Sequence, residues 1–382
     1  MKKWIILLVA CLPFVMVSCD KPEKGNAENG STEIAGMSGK SLVKKMTAKG
    51  TLAYYYNDDE DGYYDYDKCQ ASGKADAAFT FTYAEGLMTR LSASGGYTYV
   101  SDREFSYNGD VEKQYYEDNA SGNGNLAFTY NGDVVNVKIE ANGKVSGKYE
   151  NDPDEYDENH AYMEEGNISG DYTLNMSNGA AVSGQGIFKG DGGSYTTDKV
   201  KFEYDNNNQL TSLYYDGEYE YRTEFKWENG NMVKVGYYYD DDDYKAGRKR
   251  HVRMPFGKEK AKVTKSGSIE WNDHYRVEYS TKENKGNIDL ARILFVYIGE
   301  YYEQAIGVFG FLGKESKNLP SKIYCMNEEW NEETGEYEKE EVVFLSIEYD
   351  FNGNGTVKRI KISSPTMTEE EYDTTATIEF EY

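Results

Sequence analysis

Aromatic and charged side chains alternate through residues 218–227. Tyr219, Tyr221, Thr223, Phe225 and Trp227 fall on one parity, and Glu218, Glu220, Arg222, Glu224 and Lys226 on the other. A period of two predicts a strand with one aromatic and one charged face. Asn229-Gly230, a dipeptide at ease at positive φ, predicts a two-residue turn, after which Val233, Val235, Tyr237 and Tyr239 resume the alternation. The result is a hairpin of about nine residues per arm, roughly 30 Å tall at about 3.3 Å per residue.

The same unit, an aromatic or aliphatic residue, a polar one, an aromatic, a turn and an aliphatic, recurs along the chain. Phe79, Phe81 and Tyr83 precede Glu85-Gly86; Phe105 and Tyr107 precede Asn108-Gly109; Phe128 and Tyr130 precede Asn131-Gly132. Further copies are Phe202 and Tyr204, Phe225 and Trp227, and Ile347 and Tyr349, each followed by an Asn-rich or Gly-rich turn. Ile378, Phe380 and Tyr382 make a last strand. The spacing is irregular, which predicts successive antiparallel hairpins with unequal loops rather than a solenoid. The fold class expected is mainly β, a wide curved antiparallel sheet or barrel.

One stretch departs from the pattern. Residues 287–313 are strongly apolar, with Ile288, Leu290, Ile293, Leu294, Val296, Ile298, Ile306, Val308, Phe309, Phe311 and Leu312. Asn287 or Asp289 suits a helix start and Gly313-Lys314 a stop, so a short helical insert is expected within 287–320, supplying dense apolar core. Arg292, Glu300 and Glu303 interrupt it too often for a span of about 20 apolar residues.

Residues 1–18 follow another logic. Lys2 and Lys3 lead an apolar run that ends at Ser18-Cys19, the arrangement of a lipoprotein signal peptide with Cys19 as the lipid attachment site. Residues 19–45, rich in Gly, Asn, Glu, Lys and Ser, predict a flexible tether, leaving 46–382 as a single β domain. A formal charge of −25 repels phosphate backbones and argues against nucleic acid. Thirty-seven tyrosines suit strands that are half wet.

The run from Phe309 through Gly313 to Leu319, Pro320 and Ile323, preceded by Asn287, Ile288, Asp289 and Leu290, resembles a Bacteroidota lipoprotein family of unknown function with a porin-like fold. The copies at 202–213 and 347–360 are similar to its tyrosine-aspartate-like hairpin repeats. The resemblance implies a wide antiparallel sheet or barrel in the cell envelope and carries no catalytic residue with it.

Candidate chemistry is sparse. Residues 57–62 and 350–355 open like calcium loops, but Lys68 and Lys361 stand where the closing glutamate belongs, so both read as turns. No cofactor or metal site is expected; weak calcium binding by the acidic loops 152–157 and 240–243 is a minor expectation. Three histidines without ligand spacing, and no nucleophile or phosphate-loop motif, argue against an enzyme; a glycoside-active one is kept as an alternative because carboxylates are abundant. Cys69 and Cys325 are a candidate disulfide in an oxidising envelope. Clustered rings at Tyr54, Tyr55 and Tyr56 and at Tyr237, Tyr238 and Tyr239 put aromatics on both faces of their strands, a candidate surface for stacking on sugars.

The reading is a lipid-anchored outer-membrane protein, on the cell surface or the periplasmic face, acting as a binding or scaffold module for a glycan or an envelope protein. A transmembrane β-barrel with a pore-like lumen is the alternative.

Overall fold

The computed structural model describes residues 42–57, 68–107, 110–150, 159–190, 193–197, 199–216, 221–239, 274–285, 288, 311–331, 336–364 and 371–382. They form β1 (Lys45–Asn57), β2 (Lys68–Ala84), β3 (Leu87–Tyr107), β4 (Asp110–Asn131), β5 (Val134–Glu150), β6 (Asn159–Ser177), β7 (Ala180–Gly190), β8 (Gly193–Thr196), β9 (Lys199–Tyr204), β10 (Leu210–Asp216), β11 (Tyr221–Glu228), β12 (Asn231–Tyr239), β13 (His274–Glu283), β14 (Asn318–Asn331), β15 (Glu336–Phe351), β16 (Val357–Ser364) and β17 (Glu371–Glu381). Each strand pairs antiparallel with its neighbours, and β1 pairs with both β2 and β17, so the sheet closes on itself. β8 and β9 lie end to end along β7 as two pieces of one broken strand. Counted so, the barrel has 16 strands.

In such a ring alternate connections fall at alternate ends. One rim carries the tight turns, where Glu85-Gly86, Asn178-Gly179 and Asn229-Gly230 all take positive φ, the geometry whose twist matches that of the flanking strands, together with the long connection from β13 to β14. The opposite rim carries the connections between β1 and β2, β5 and β6, and β12 and β13. We call these the turn rim and the loop rim.

The walls have a dry inside and a wet outside. On β2, Cys69, Ala71, Ala75, Ala77, Phe79 and Phe81 are buried, while Lys68, Gln70, Ser72, Lys74, Asp76, Thr80 and Thr82 are exposed. On β5, Val135, Val137 and Ile139 face in, and Asn136, Lys138 and Glu140 face out. Thr223 and Phe225 of β11 are buried, whereas Lys226 is exposed, as the alternation predicts. One parity differs from expectation. A bulge between Lys226 and Trp227 leaves Val233 unpaired, so Met232 rather than Val233 takes the buried place beside Val235.

The hairpin repeat acquires a physical reason at the turn rim. Its first ring fills the core: Phe81, Phe128, Phe202 and Phe225 are 4–6 % exposed. Its second reaches sideways. Tyr83 donates to Val43 O at 2.9 Å, Tyr130 to Met88 O at 2.7 Å, Tyr204 to Ala181 O at 2.7 Å, and the Trp227 indole N–H to Leu210 O at 2.7 Å. Tyr279, Tyr349 and Tyr382 make the same bond to Met232 O, Pro320 O and Val357 O. Each clasp joins a strand to the one before it, and after Tyr83, Tyr130, Tyr204, Trp227 and Tyr349 a short turn joins it to the one after. Hydrogen bonds and turns thus alternate round the rim, satisfying carbonyls that would otherwise sit idle where strands end. At the corresponding place on β6 stands Met176, which has no polar tip; its backbone N–H reaches Asp133 O at 2.7 Å instead. The copy at Phe105 and Tyr107 is the exception to this role, because it lies at the loop rim between β3 and β4.

The expected helical insert is not supported: no described residue is helical, and residues 289–310 lie outside the described ones. Ile288, Phe311 and Leu312 are buried at 0, 3 and 5 %, as core-supplying residues should be, but in irregular chain. The reason is visible in the hydrogen bonds. Phe311 O accepts from Ala181 N, Lys314 N donates to Asn208 O and Lys317 N to Gly230 O, so the backbone of 311–317 is spent on the hairpin turns beneath the barrel rather than on its own helix. Gly313 sits at φ +77 with Tyr204 packed on it, a position closed to residues with a side chain. At the other end of the chain, Val43 and Lys44, assigned by composition to the tether, already belong to the fold: Val43 is 2 % exposed and Lys44 N bonds Glu381 O at 2.7 Å.

Candidate functional site

The walls are not of even height. β2 to β6 run to 17–22 residues, whereas β9 to β12 have 6–9. The tall side is crossed by a row of glycines in direct register, Gly95 opposite Gly122, Gly122 opposite Gly143, and Gly143 opposite Gly166. A Cβ on Gly95 would meet Asp76 O at 2.5 Å, so the strands approach there more closely than any side chain permits. Toward the turn rim from this row lies the apolar core. Toward the loop rim, on the same inner face, the composition changes.

Asp118 is the centre of that region. It shares the inward parity of β4 with Leu126 and Phe128, and is 2 % exposed. By spacing it stands roughly 26 Å along the strand from Leu126, at about 3.3 Å per residue. Tyr97 and Tyr116 each donate to Oδ2 at 2.9 Å, and Tyr162 donates to Oδ1 at 2.8 Å. Three phenol donors thus come from three strands to one carboxylate, the satisfaction that a buried charge requires. Asp118 pairs with Gly147, which pairs with Tyr162. The missing side chain at Gly147 is what lets Tyr162 reach across: an added Cβ would lie 2.4 Å from its ring.

The rings form a strip across β3 to β6. Tyr99 and Tyr116 have centroids 5.7 Å apart, Tyr116 and Tyr149 4.6 Å, and Tyr149 and Tyr162 5.7 Å. Tyr97, Tyr116, Tyr149 and Tyr162 are half-buried, so each keeps some surface toward solvent. Burial, and then the bond to Asp118, push the Tyr97 hydroxyl up to about 12. Tyr116 and Tyr162 are raised as well, burial again the largest cause. These phenols are therefore held neutral. A group whose folded value is raised contributes stability below its unfolded value, 10.0, and loses it as pH rises toward about 12. The expected outcome is a drop in melting temperature between those limits, accompanied by late tyrosinate absorbance, and the loss should be smaller in Tyr97→Phe.

The sequence-predicted site residues fall elsewhere. Tyr54, Tyr55 and Tyr56 end β1, and Tyr237, Tyr238 and Tyr239 end β12, both at the loop rim. Six steps round the ring separate the two strands, so the barrel does not bring the clusters together; their side chains lie outside the described residues. Cys69 on β2 and Cys325 on β14 are thiols and not a disulfide: five steps round the ring part them, and Cys69 Sγ lies 3.7 Å from Ser101 Oγ. Cys19, the loops 57–62 (beyond Asn57), 152–157 and 240–243 lie outside the described residues. The loop at 350–355 is a turn, with Asp350 bonded to Arg359 and Asn352 and Asn354 to Thr356. A second concavity, about 480 Å³ on the outer wall, is lined by Asn123, Asn125, Asn142, Asn167 and Ser169 and carries no aromatic ring. Sequence reasoning missed Asp118, though a signal existed: counting back by twos from Phe128 meets one acid on an otherwise small and apolar parity.

The fold defines the chain as a large closed antiparallel β-barrel. Among solved structures it is similar to a porin-like protein from Bacteroides uniformis ATCC 8492, with 11 % identity and a TM-score of 0.43 over 90 % of this chain and 98 % of that one. It is also similar to the transport unit of the autotransporter AIDA-I from Escherichia coli, with 7 % identity and a TM-score of 0.27 over 91 % of this chain and 92 % of that one. No family profile matches the chain, and no curated protein does.

Proposed function

We propose that the protein is an outer-membrane-associated barrel that stands outside the bilayer, moored by a lipid on Cys19, and acts as a binding module. The observation that carries the reading is the polarity of the wall. A barrel that crosses a membrane needs an outward apolar band about 25 Å tall and a polar interior. Here the described outward positions carry mostly Lys, Arg, Glu, Asp, Asn, Ser and Thr, with Val100, Met163, Val182 and Ile187 and the rings of Tyr115, Tyr214 and Tyr324 scattered among them, and the inward ones toward the turn rim carry the apolar core. Placing such a wall in lipid would cost about 2–4 kcal/mol for each Lys or Arg near the midplane. The apolar core that fills the barrel toward the turn rim equally disfavours a water-filled pore running from end to end. Ser18-Cys19 supports the anchor, and the tyrosine strip is a surface on which a ligand could lie.

The test is fractionation. Cys19→Ser should move the protein from the membrane pellet to the soluble fraction. If the variant stays in the pellet after an alkaline carbonate wash, the barrel crosses the membrane and the reading is wrong.

A further inference from the structure

We infer that the strip Tyr99–Tyr116–Tyr149–Tyr162, with Asp118 beneath it, binds an uncharged oligosaccharide lying across strands β4 to β6. The inference rests on the proposed binding role and assigns it a place and a ligand class. The three half-exposed rings, on β4, β5 and β6, span about 10 Å at about 4.8 Å per strand, the reach of a short linear sugar chain. The faces of Tyr116, Tyr149 and Tyr162 suit the apolar faces of pyranose rings, and their half-exposure leaves them accessible, while Tyr99, 4 % exposed, backs Tyr116 from within the wall.

The hydrogen bonds favour sugar over the two rival chemistries. A phenol that donates to a carboxylate is polarised, and its oxygen becomes a better acceptor for a ligand hydroxyl. The donors of Tyr97, Tyr116 and Tyr162 are committed to Asp118, so the strip offers acceptors to a polyol. An anion meets a buried carboxylate whose hydrogen-bond partners are the three phenols. A cation would find Asp118, 2 % exposed, shielded behind the three phenols that bond it. The shared carboxylate also fixes the rings in place before a ligand arrives, which lowers the ordering cost of binding. Tyr149 is the ring to test, since it lies between Tyr116 and Tyr162 at the middle of the half-exposed rings.

The experiment is affinity electrophoresis of the full mature chain in gels containing hydroxyethylcellulose, galactomannan, xyloglucan, laminarin or pullulan, with polygalacturonate and spermine as charged controls. The expected result is retardation by at least one neutral polymer, weakened about tenfold or more by Tyr149→Ala and largely kept by Tyr149→Phe. Tyr149→Trp keeps a flat ring, and its fluorescence should shift on adding the retarding polymer. That variant decides the matter if Tyr149→Ala melts early. No retardation by any neutral polymer, response only to polygalacturonate or spermine, or an unchanged fluorescence spectrum overturns the inference. The outcome is independent of anchoring: a chain that Cys19→Ser fails to release can be run from detergent extract, and sugar binding read there stands or falls by itself.

Discussion

Tyr204→Ala is expected to destabilise the barrel by about 3–5 kcal/mol, and Tyr204→Phe by about 1 kcal/mol. The difference follows from what each change removes. The phenylalanine variant loses only the hydroxyl that bonds Ala181 O at 2.7 Å and approaches Phe311 O at 3.5 Å. The alanine variant also strips the ring from Gly313, where it lies so close that an added Cβ would come within 2.7 Å of it. Three segments then lose their common contact: β9, the start of β7, and the chain at 311–313 that runs beneath the barrel. Urea denaturation checks this, with the midpoint falling and the slope unchanged. A midpoint in Tyr204→Ala no lower than in Tyr204→Phe would show that the clasps decorate the rim without holding it.

Asp118→Ala should cost about 2–3 kcal/mol, because three phenol donors lose their acceptor at once. Asp118→Asn should cost less. One amide oxygen can accept two of the three bonds, and the third phenol can turn to accept from the amide N–H₂. The pair is informative together: if asparagine proves as harmful as alanine, the carboxylate's charge matters beyond its acceptor count. Removing the carboxylate also removes one cause of the raised Tyr97 value, so its ionisation should begin at lower pH in Asp118→Ala than in the wild type, with burial still holding it above the ordinary tyrosine range. Ultraviolet titration of both proteins reads this directly. Equal onset would place the whole shift in burial.

Both effects rest on features that differ in how far the chain announces them. The clasps are audible in the sequence as aromatic pairs before turns, at Phe128 and Tyr130 or Phe202 and Tyr204, though only the register reveals that the second ring bonds the preceding strand. Bulges illustrate the limit. Strict alternation places Val233 inside, but the extra residue of a bulge after the tight turn shifts the register by one, and Met232 takes the inner place. The expected insert meets a similar limit: apolar content and end signals suggest a helix at 287–313, but it is not supported where the chain is described, since Ile288 bonds the Asn284 side chain and the backbone of 311–317 bonds hairpin turns far away in sequence. Local preference gives way where tertiary partners satisfy the backbone better.

What the chain determines by itself is the material of the wall. Period-two alternation, Asn-Gly turns and recurring aromatic pairs are local properties, and they suffice to specify antiparallel hairpins with one dry and one wet face. Tertiary structure decided that the sheet closes, that the dry face is the inside, and that Tyr97, Tyr116 and Tyr162 meet Asp118 from three different strands. Closure depends on pairing Lys45 with Glu381 across nearly the whole chain, and the tyrosine strip on registers set by turns and loops between strands. Contacts of that kind have no footprint in any short window, because nothing in a single strand records which neighbour will lie beside it.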